Sequence, residues 1–216
     1  MKFRAVIFDL DGTLLDTIKD LCDSMNAILA RLNLPQHSLD EYKIFVGDGV
    51  RSLAMRALPE GRRDEATLDH CVAEMRIEYG KRWKDATKPY PGVPELLAAL
   101  AEKQVVCAVL SNKPDHFTQI IVRELLPEWT FADVSGARPD VPHKPDPAGA
   151  LDMAKRLGVP VGEILYLGDT NTDMKTAVAA GMYPVGALWG FRDADELTSS
   201  GAARLVAHPL EVLDLL

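Results

Sequence analysis

The sequence has little that would place a protein in a membrane, on a nucleic acid or in a disulfide framework. No apolar run in its 216 residues approaches the roughly 18 residues that a membrane span needs. The net charge is −8, so there is no broad basic field to attract nucleic acid. Three cysteines, Cys22, Cys71 and Cys107, lie far apart and are interpreted as buried free thiols. Because the apolar start of the chain runs into acids instead of a cleavage site, we predict a cytoplasmic protein without membrane or nucleic-acid partners.

Continuous apolar runs predict β-strands that are covered on both faces. They lie at residues 3–8, 105–110, 164–167 and 183–188. Helical patterns separate most of them, at residues 94–103, 114–126, 147–157 and 174–180. This alternation predicts an α/β fold with a doubly wound, Rossmann-like parallel sheet. In such sheets the functional site lies beyond the carboxyl ends of the strands.

The first two predicted strands are unusually far apart in the chain. Roughly ninety residues separate them, where one crossover unit takes about thirty. Apolar residues recur at helical spacing over residues 18–32 and 68–79, and the proline-rich stretch TKPYPGVP follows. We therefore predict an α/β core of residues 1–16 and 87–216, with an inserted α-helical domain of residues 17–86.

Two acidic clusters follow predicted strands. Asp9 and Asp11 come after the first strand, and Asp169 and Asp173 come after the third. Two carboxylates about 4 Å apart repel by about 4 kcal/mol at an effective dielectric near 20, so grouped acids require a cation. Mg²⁺ prefers a few carboxylates together with phosphate and water. The sequence therefore predicts a magnesium site that involves Asp9 and Asp169.

The first cluster also has the composition for covalent chemistry on a phosphate. The carboxylate of Asp9 can attack phosphorus to give an aspartyl-phosphate. Asp11 can then protonate the leaving oxygen and later deprotonate the water that hydrolyses the intermediate. Gly12 gives the turn the backbone freedom to approach a phosphate closely with its amide groups.

Further polar residues follow the second predicted strand and the loop after it. Ser111 and Asn112 precede Pro114, a favoured first helical residue, so their hydroxyl and amide groups are expected to meet phosphate oxygens at a helix N-terminus. Lys144, with Lys113, would supply positive charge against the acids and the phosphate. An ordinary helix cap and a solvated lysine are the structural alternatives for these residues.

These residues resemble the motifs of the haloacid dehalogenase superfamily of phosphohydrolases. The segment DLDGTLLD matches the first motif, VLSNK the second, HKPDP the third and GDTNTD the fourth, in order across nearly the whole chain. The resemblance implies a phosphatase in which Asp9 is the nucleophile and Asp11 the acid/base. It implies Mg²⁺ held by the Asp9 side chain, the Asp11 carbonyl and Asp169.

The resemblance also implies supporting roles for other residues. Asp173 would support the metal site, Ser111 would contact the phosphoryl group, and Lys144 would bridge nucleophile and phosphate. The helical domain of residues 17–86 would be a mobile cap over the site.

Within this superfamily the sequence is similar to phosphoglycolate phosphatases, through PYPGV, SNKP and VGDGVRSLAMRAL. This similarity implies that the turn from Gly47 to Gly49 reaches down to the substrate. Arg51 is the candidate to pair with a substrate carboxylate, because a guanidinium binds one in bidentate fashion. The expected partner is a small phosphorylated metabolite, 2-phosphoglycolate as the first choice, bound by a monomer or homodimer.

Several alternatives stay open at this point. Pyrophosphate, a nucleotide or a sugar phosphate are other substrates of the same superfamily, the last also in a mutase reaction. A dehalogenase leaves Asp11 without a role, and a phosphonatase needs a cap lysine where Arg51 stands. Outside enzymes, a signalling receiver domain uses similar residues around Mg²⁺, but it has no helical insert. A protein that only binds its ligand is the remaining alternative.

Overall fold

The computed structural model describes residues 2–216. The strands are β1 (Ala5–Phe8), β2 (Leu15–Asp16), β3 (Lys88–Pro89), β4 (Val106–Pro114), β5 (Asp133–Ala137), β6 (Ile164–Gly168), β7 (Tyr183–Ala187) and β8 (Arg204–Val206). The helices are α1 (Ile18–Arg31), α2 (Leu39–Phe45), α3 (Val50–Ala57), α4 (Glu65–Arg82), α5 (Val93–Glu102), α6 (Asp115–Leu125), α7 (Ala148–Leu157), α8 (Asn171–Ala180) and α9 (Ala194–Ser199). Short 3₁₀ helices lie at Glu60–Arg62, Val161–Glu163 and Pro209–Leu215.

Six strands form one parallel sheet in the order β5-β4-β1-β6-β7-β8. Strand β1 lies between β4 and β6, and Phe8 pairs with Val109 on one side and Leu167 on the other. All four residues of β1 are buried because apolar clusters fill both faces of the sheet. The predicted doubly wound α/β fold is confirmed, and the central strands end at the positions of the predicted acids.

The sheet is larger than the apolar runs predict. The two edge strands, β5 and β8, have no long apolar run; β5 has the sequence DVSGA. Strand β4 continues four residues past Leu110, with a register shift against β5 between Leu110 and Pro114. Ser111 and Asn112 therefore lie in an irregular strand extension, and helix α6 begins at Asp115 without a side-chain cap.

Helices α1 to α4 come between the two strands of a small antiparallel ribbon. In that ribbon Leu15 of β2 pairs with Pro89 of β3. The buried carboxylate of Asp20 accepts hydrogen bonds from the backbone N–H groups of Ala86 and Thr87, and from the Thr87 hydroxyl at 2.7 Å. The chain therefore enters and leaves the helical segment through neighbouring, hydrogen-bonded positions.

The cysteines and the helix composition bear on the class of protein. The three cysteines are free and buried, as predicted. Within residues 2–216, no helix combines the length and the apolar character that crossing a membrane requires.

Candidate active site

Asp9 and Lys144 form a buried ion pair at the carboxyl end of β1. The Lys144 ammonium lies 2.9 Å from Asp9 Oδ1 and 2.7 Å from Asp173 Oδ1, and it donates to the carbonyl of Leu110 at 3.0 Å. Asp9 and Lys144 are each only 6% exposed. Burial opposes the charge on Lys144, but the carboxylates of Asp173 and Asp9 raise its pKa well above the ordinary value. Lys144 is thus a fixed cation between two acids.

Asp169 is held from two sides at the end of β6. Its Oδ1 accepts a hydrogen bond from the Thr13 hydroxyl at 2.8 Å, and its Oδ2 accepts one from the backbone N–H of Phe191 at 2.8 Å. A Cβ at Gly12, where φ is +87°, would lie 2.2 Å from Asp169 Oδ2. Glycine is therefore required at this turn for the backbone to approach Asp169.

Asp173 is oriented by the first turn of α8. Its Oδ2 accepts hydrogen bonds from the Thr170 hydroxyl at 2.6 Å and the Thr170 backbone N–H at 3.1 Å, within a reciprocal capping box. Its other oxygen contacts Lys144. Both oxygens of the carboxylate are therefore fixed by neighbours.

The three acids Asp9, Asp169 and Asp173 form one cluster. Each offers a carboxylate oxygen within 4.8 Å of those of the others. Burial and then the charge of Asp173 raise the pKa of Asp9 to about 7, against the lowering effect of Lys144. Burial and the neighbouring carboxylates also raise the pKa of Asp169 well above its ordinary value. One ammonium does not balance three buried acids, so the cluster fits a divalent cation that takes oxygen ligands.

Asp11 makes a different ion pair. Both its carboxylate oxygens contact the Lys113 ammonium, at 2.8 and 3.0 Å. The same ammonium lies 4.4 Å from the ring centre of Tyr79 on α4. Burial disfavours the charge on Lys113, but Asp11 and then Tyr79 outweigh it and raise its pKa above the ordinary value. Lys113, predicted to bind substrate, here contacts Asp11.

Asn112 connects the sheet to the turn at Gly47. Its Oδ1 accepts from the backbone N–H of Lys144 at 2.9 Å, and its Nδ2 donates to the carbonyls of Lys144 at 3.0 Å and Gly47 at 3.2 Å. The Ser111 hydroxyl accepts from the backbone N–H of Lys113 at 3.2 Å. The residues predicted near the second strand are thus brought to the acids from β4 rather than from a helix N-terminus.

A cavity of about 680 Å³, its open mouth included, joins the strand ends to the helical segment. Its polar end is lined by Asp9, Asp11, Ser111, Asn112 and Lys113. Apolar side chains that line it include Leu21, Val46, Val50, Leu53, Met75 and Phe117. The cavity is therefore polar at the acids and apolar toward the helical segment, an arrangement typical of small-molecule sites.

Of the two residues of the helical segment that were predicted to bind substrate, one lines the cavity and the other does not. Gly47 lines the cavity. Arg51 is outside the set of described residues that line the cavity; its guanidinium lies 2.7 Å from Asp69 and also pairs with Glu65. Arg76 on α4, which no sequence motif singles out, lines the cavity instead. The only sequence signal for Arg76 is its place three residues before Tyr79, next to the buried stripe of that helix.

The chain is similar to known proteins in both sequence and structure. The sequence model of the haloacid dehalogenase-like hydrolase family matches residues 6–187. A phosphoglycolate phosphatase from Xanthomonas campestris pv. campestris is 35% identical over 197 residues, which cover 91% of this chain and 88% of that protein. A phosphoglycolate phosphatase from Haemophilus influenzae is 30% identical over 205 residues, which cover 92% of each chain. A crystal structure from Haemophilus somnus, of a predicted phosphoglycolate phosphatase, has a TM-score of 0.91 at 27% identity and covers 100% of this chain and 98% of that one.

Proposed function

Because the chain belongs to the haloacid dehalogenase-like hydrolase family, we propose that it is a phosphatase that hydrolyses a small phosphomonoester, with 2-phosphoglycolate as its substrate. The observation that carries the proposal is the position of Asp9, which is buried beside Lys144 and two further acids at the polar end of the cavity. The relatives named phosphoglycolate phosphatase support the choice of substrate.

In the proposed first step, a carboxylate oxygen of Asp9 attacks phosphorus, and the bond from phosphorus to the ester oxygen breaks. Asp11, in its acid form, donates a proton to the leaving oxygen, so glycolate leaves as the alcohol. In the second step Asp11 accepts a proton from water, which attacks the aspartyl-phosphate and releases inorganic phosphate. Asp9 returns as a carboxylate and Asp11 as an acid, so the cycle balances.

Lys144 and Lys113 have separate tasks in this scheme. Lys144 contacts Asp9 directly and would offset the charge that builds up as nucleophile and phosphate approach each other. Lys113 contacts both oxygens of the Asp11 carboxylate, and would orient the group through one of them when the other carries the proton. Ser111 and the amide groups near Gly12 would contact the phosphoryl oxygens.

The acidic cluster is proposed to hold Mg²⁺ through the side chains of Asp9 and Asp169 and the carbonyl of Asp11, with Asp173 in support. When bound, Mg²⁺ would neutralise charge and act as a Lewis acid at the phosphoryl group. Thr13 and the Phe191 backbone N–H fix the direction of Asp169, and Thr170 fixes Asp173. These neighbours would preorganise the carboxylates before the ion arrives.

Residues 17–86 are proposed to form a cap over this site. Chain entry and exit through the β2–β3 ribbon support a unit that moves as a body. Contacts between Asn112 and the Gly47 carbonyl support a closed position in which the turn lies over the phosphate end.

The test is phosphate release by the purified protein with Mg²⁺, comparing 2-phosphoglycolate with pyrophosphate, nucleoside monophosphates and hexose phosphates. We expect kcat/KM to be at least about a hundredfold higher for 2-phosphoglycolate, which corresponds to about 2.7 kcal/mol. Asp9→Asn or EDTA should abolish release, whereas Asp40→Asn, a substitution of an exposed acid on α2, should leave it unchanged. Near-normal release by Asp9→Asn would exclude Asp9 as the nucleophile, and a preference for another substrate of the panel would replace 2-phosphoglycolate.

A further inference from the structure

The cavity contains one cationic side chain that the structure does not pair with an acid. Lys113 and Arg76 are the lysine and arginine residues among the described cavity-lining residues. The Lys113 ammonium is engaged by Asp11. Arg76 is exposed and forms no hydrogen bond or ion pair with any side chain or carbonyl in residues 2–216.

From this we infer that Arg76 binds a second anionic group of the substrate, a carboxylate, and thereby selects phosphorylated hydroxy acids over neutral phosphomonoesters. The inference rests on the proposed phosphatase function and names the residue that recognises the leaving group. It moves this task away from Arg51, whose guanidinium is engaged by Asp69 and Glu65 on the surface of the helical segment.

The wall of the cavity explains why such a cation is needed. The side chains of Leu21, Val50 and Met75 line it and offer no hydrogen bond to a carboxylate. A carboxylate placed against these side chains loses hydration, at a cost that only a direct partner recovers. A guanidinium provides two parallel N–H donors and is the side chain best suited to that partnership.

Helix α4 connects Arg76 to the polar end of the cavity. Tyr79, three residues later and on the next turn, has its ring 4.4 Å from the Lys113 ammonium that contacts Asp11. Three residues of α-helix rise by about 4.5 Å. Helix α4 therefore carries Arg76 one turn before Tyr79, the residue that contacts the Lys113–Asp11 pair, and both side chains line the same cavity.

The experiment compares 2-phosphoglycolate with ethyl phosphate, which has a methyl group in place of the carboxylate. In Arg76→Ala we expect kcat/KM for 2-phosphoglycolate to fall about 10- to 100-fold, as for the loss of a hydrogen-bonded charge pair. The value for ethyl phosphate should change less than about threefold. Arg76→Lys should recover part of the loss, because it keeps the charge without the bidentate geometry. Arg51→Ala is the matched control and should alter neither substrate.

Equal losses on both substrates in Arg76→Ala, or a selective loss in Arg51→Ala, would overturn the assignment. Calorimetric titration of 2-phosphoglycolate into Asp9→Asn, with and without Arg76→Ala, in the presence of Mg²⁺ reads the same contact without turnover, because Asp9→Asn is expected not to hydrolyse the substrate. If the wild type released no phosphate from either substrate, the proposed function would fail by itself. The Arg76 assignment would then stand on weaker binding of 2-phosphoglycolate by Arg76→Ala, and equal binding by both proteins would refute it.

Discussion

The side chain of Arg192 donates a hydrogen bond to the backbone carbonyl of Val46, at 2.8 Å. The same guanidinium donates to the carbonyls of Ile44, at 3.1 Å, and Lys43, and so satisfies carbonyls at the end of α2. The preceding residue, Phe191, donates its backbone N–H to Asp169. A single loop after β7 therefore contacts both the helical segment and the acidic cluster.

We predict that Arg192→Ala weakens the hold of the loop on the helical segment. KM for the substrate should rise about tenfold. Hydrogen bonds to a charged group contribute about 1.5–3 kcal/mol each, and we expect only part of this free energy to stabilise the closed position of the helical segment. Limited proteolysis between α2 and α3 should become faster. Arg123→Ala, which removes a guanidinium that is 71% exposed, is the control. Unchanged KM and unchanged cleavage in Arg192→Ala would show that this contact does not hold the segment.

The acidic cluster is the part of the candidate site that sequence predicts best. Asp9 directly follows an apolar run and Asp169 follows another after Gly168, and parallel pairing of β1 with β6 places such ends side by side. The match over residues 6–187 confirms the family resemblance. The domain boundaries, the residue roles, the cytoplasmic location and the state of assembly stay predictions.

Other parts of the molecule depend on tertiary packing, and sequence patterns alone do not predict them. Edge strands β5 and β8 pair on one side only, so they need no continuous apolar run. Arg51 and Arg76 are both exposed positions of helices, and only the packing of α3 and α4 decides which one borders the cavity. Thr13 and Phe191 act through a hydroxyl and a backbone N–H, neither of which has a distinctive sequence signature.

A second prediction concerns the turn at Gly12. Gly12→Ala should both destabilise the protein and disturb Asp169, because φ is +87° and the new Cβ would lie 2.2 Å from Asp169 Oδ2 and 2.8 Å from Phe191. Phosphate release should fall about a hundredfold, as expected when a site residue is displaced by about 1 Å. The measurements are kcat/KM and the free energy of unfolding in urea.

The matched control is Gly158→Ala at the end of α7. Gly158 also has a positive φ, +67°, but a Cβ there would meet no atom within 4 Å. This variant should lose only the cost of a left-handed residue, about 1–2 kcal/mol of unfolding free energy, and keep its activity. If the two variants lost activity equally, close approach to Asp169 would not be the reason that Gly12 is a glycine.

A third prediction concerns the buried carboxylate of Glu78, which ties α4 to α1. Glu78 accepts hydrogen bonds from Lys81 at 2.9 Å, Arg82 at 2.7 Å and Arg31 at 2.9 Å. Lys81 first, then Arg82 and Arg31, lower the pKa of Glu78 from 4.5 to about 2, against the raising effect of burial. A carboxyl group with a lowered pKa in the folded state stabilises the fold above its unfolded pKa, and this contribution disappears as the pH falls toward the folded pKa.

Glu78→Gln should therefore lower the free energy of unfolding by about 1–2 kcal/mol at pH 7, since three charge-assisted hydrogen bonds are weakened. The difference from the wild type should stay constant down to about pH 5 and then shrink between about pH 4.5 and pH 2, as the wild-type carboxyl group also becomes protonated. Urea unfolding followed by circular dichroism at pH 7, 5, 4 and 3 measures this difference. Glu74→Gln, which breaks one partly exposed pair with Arg31, should change the free energy by less than about 0.5 kcal/mol at every pH. A Glu78→Gln deficit that persists unchanged to pH 3 would mean that the loss comes from packing rather than from the charge of the carboxylate.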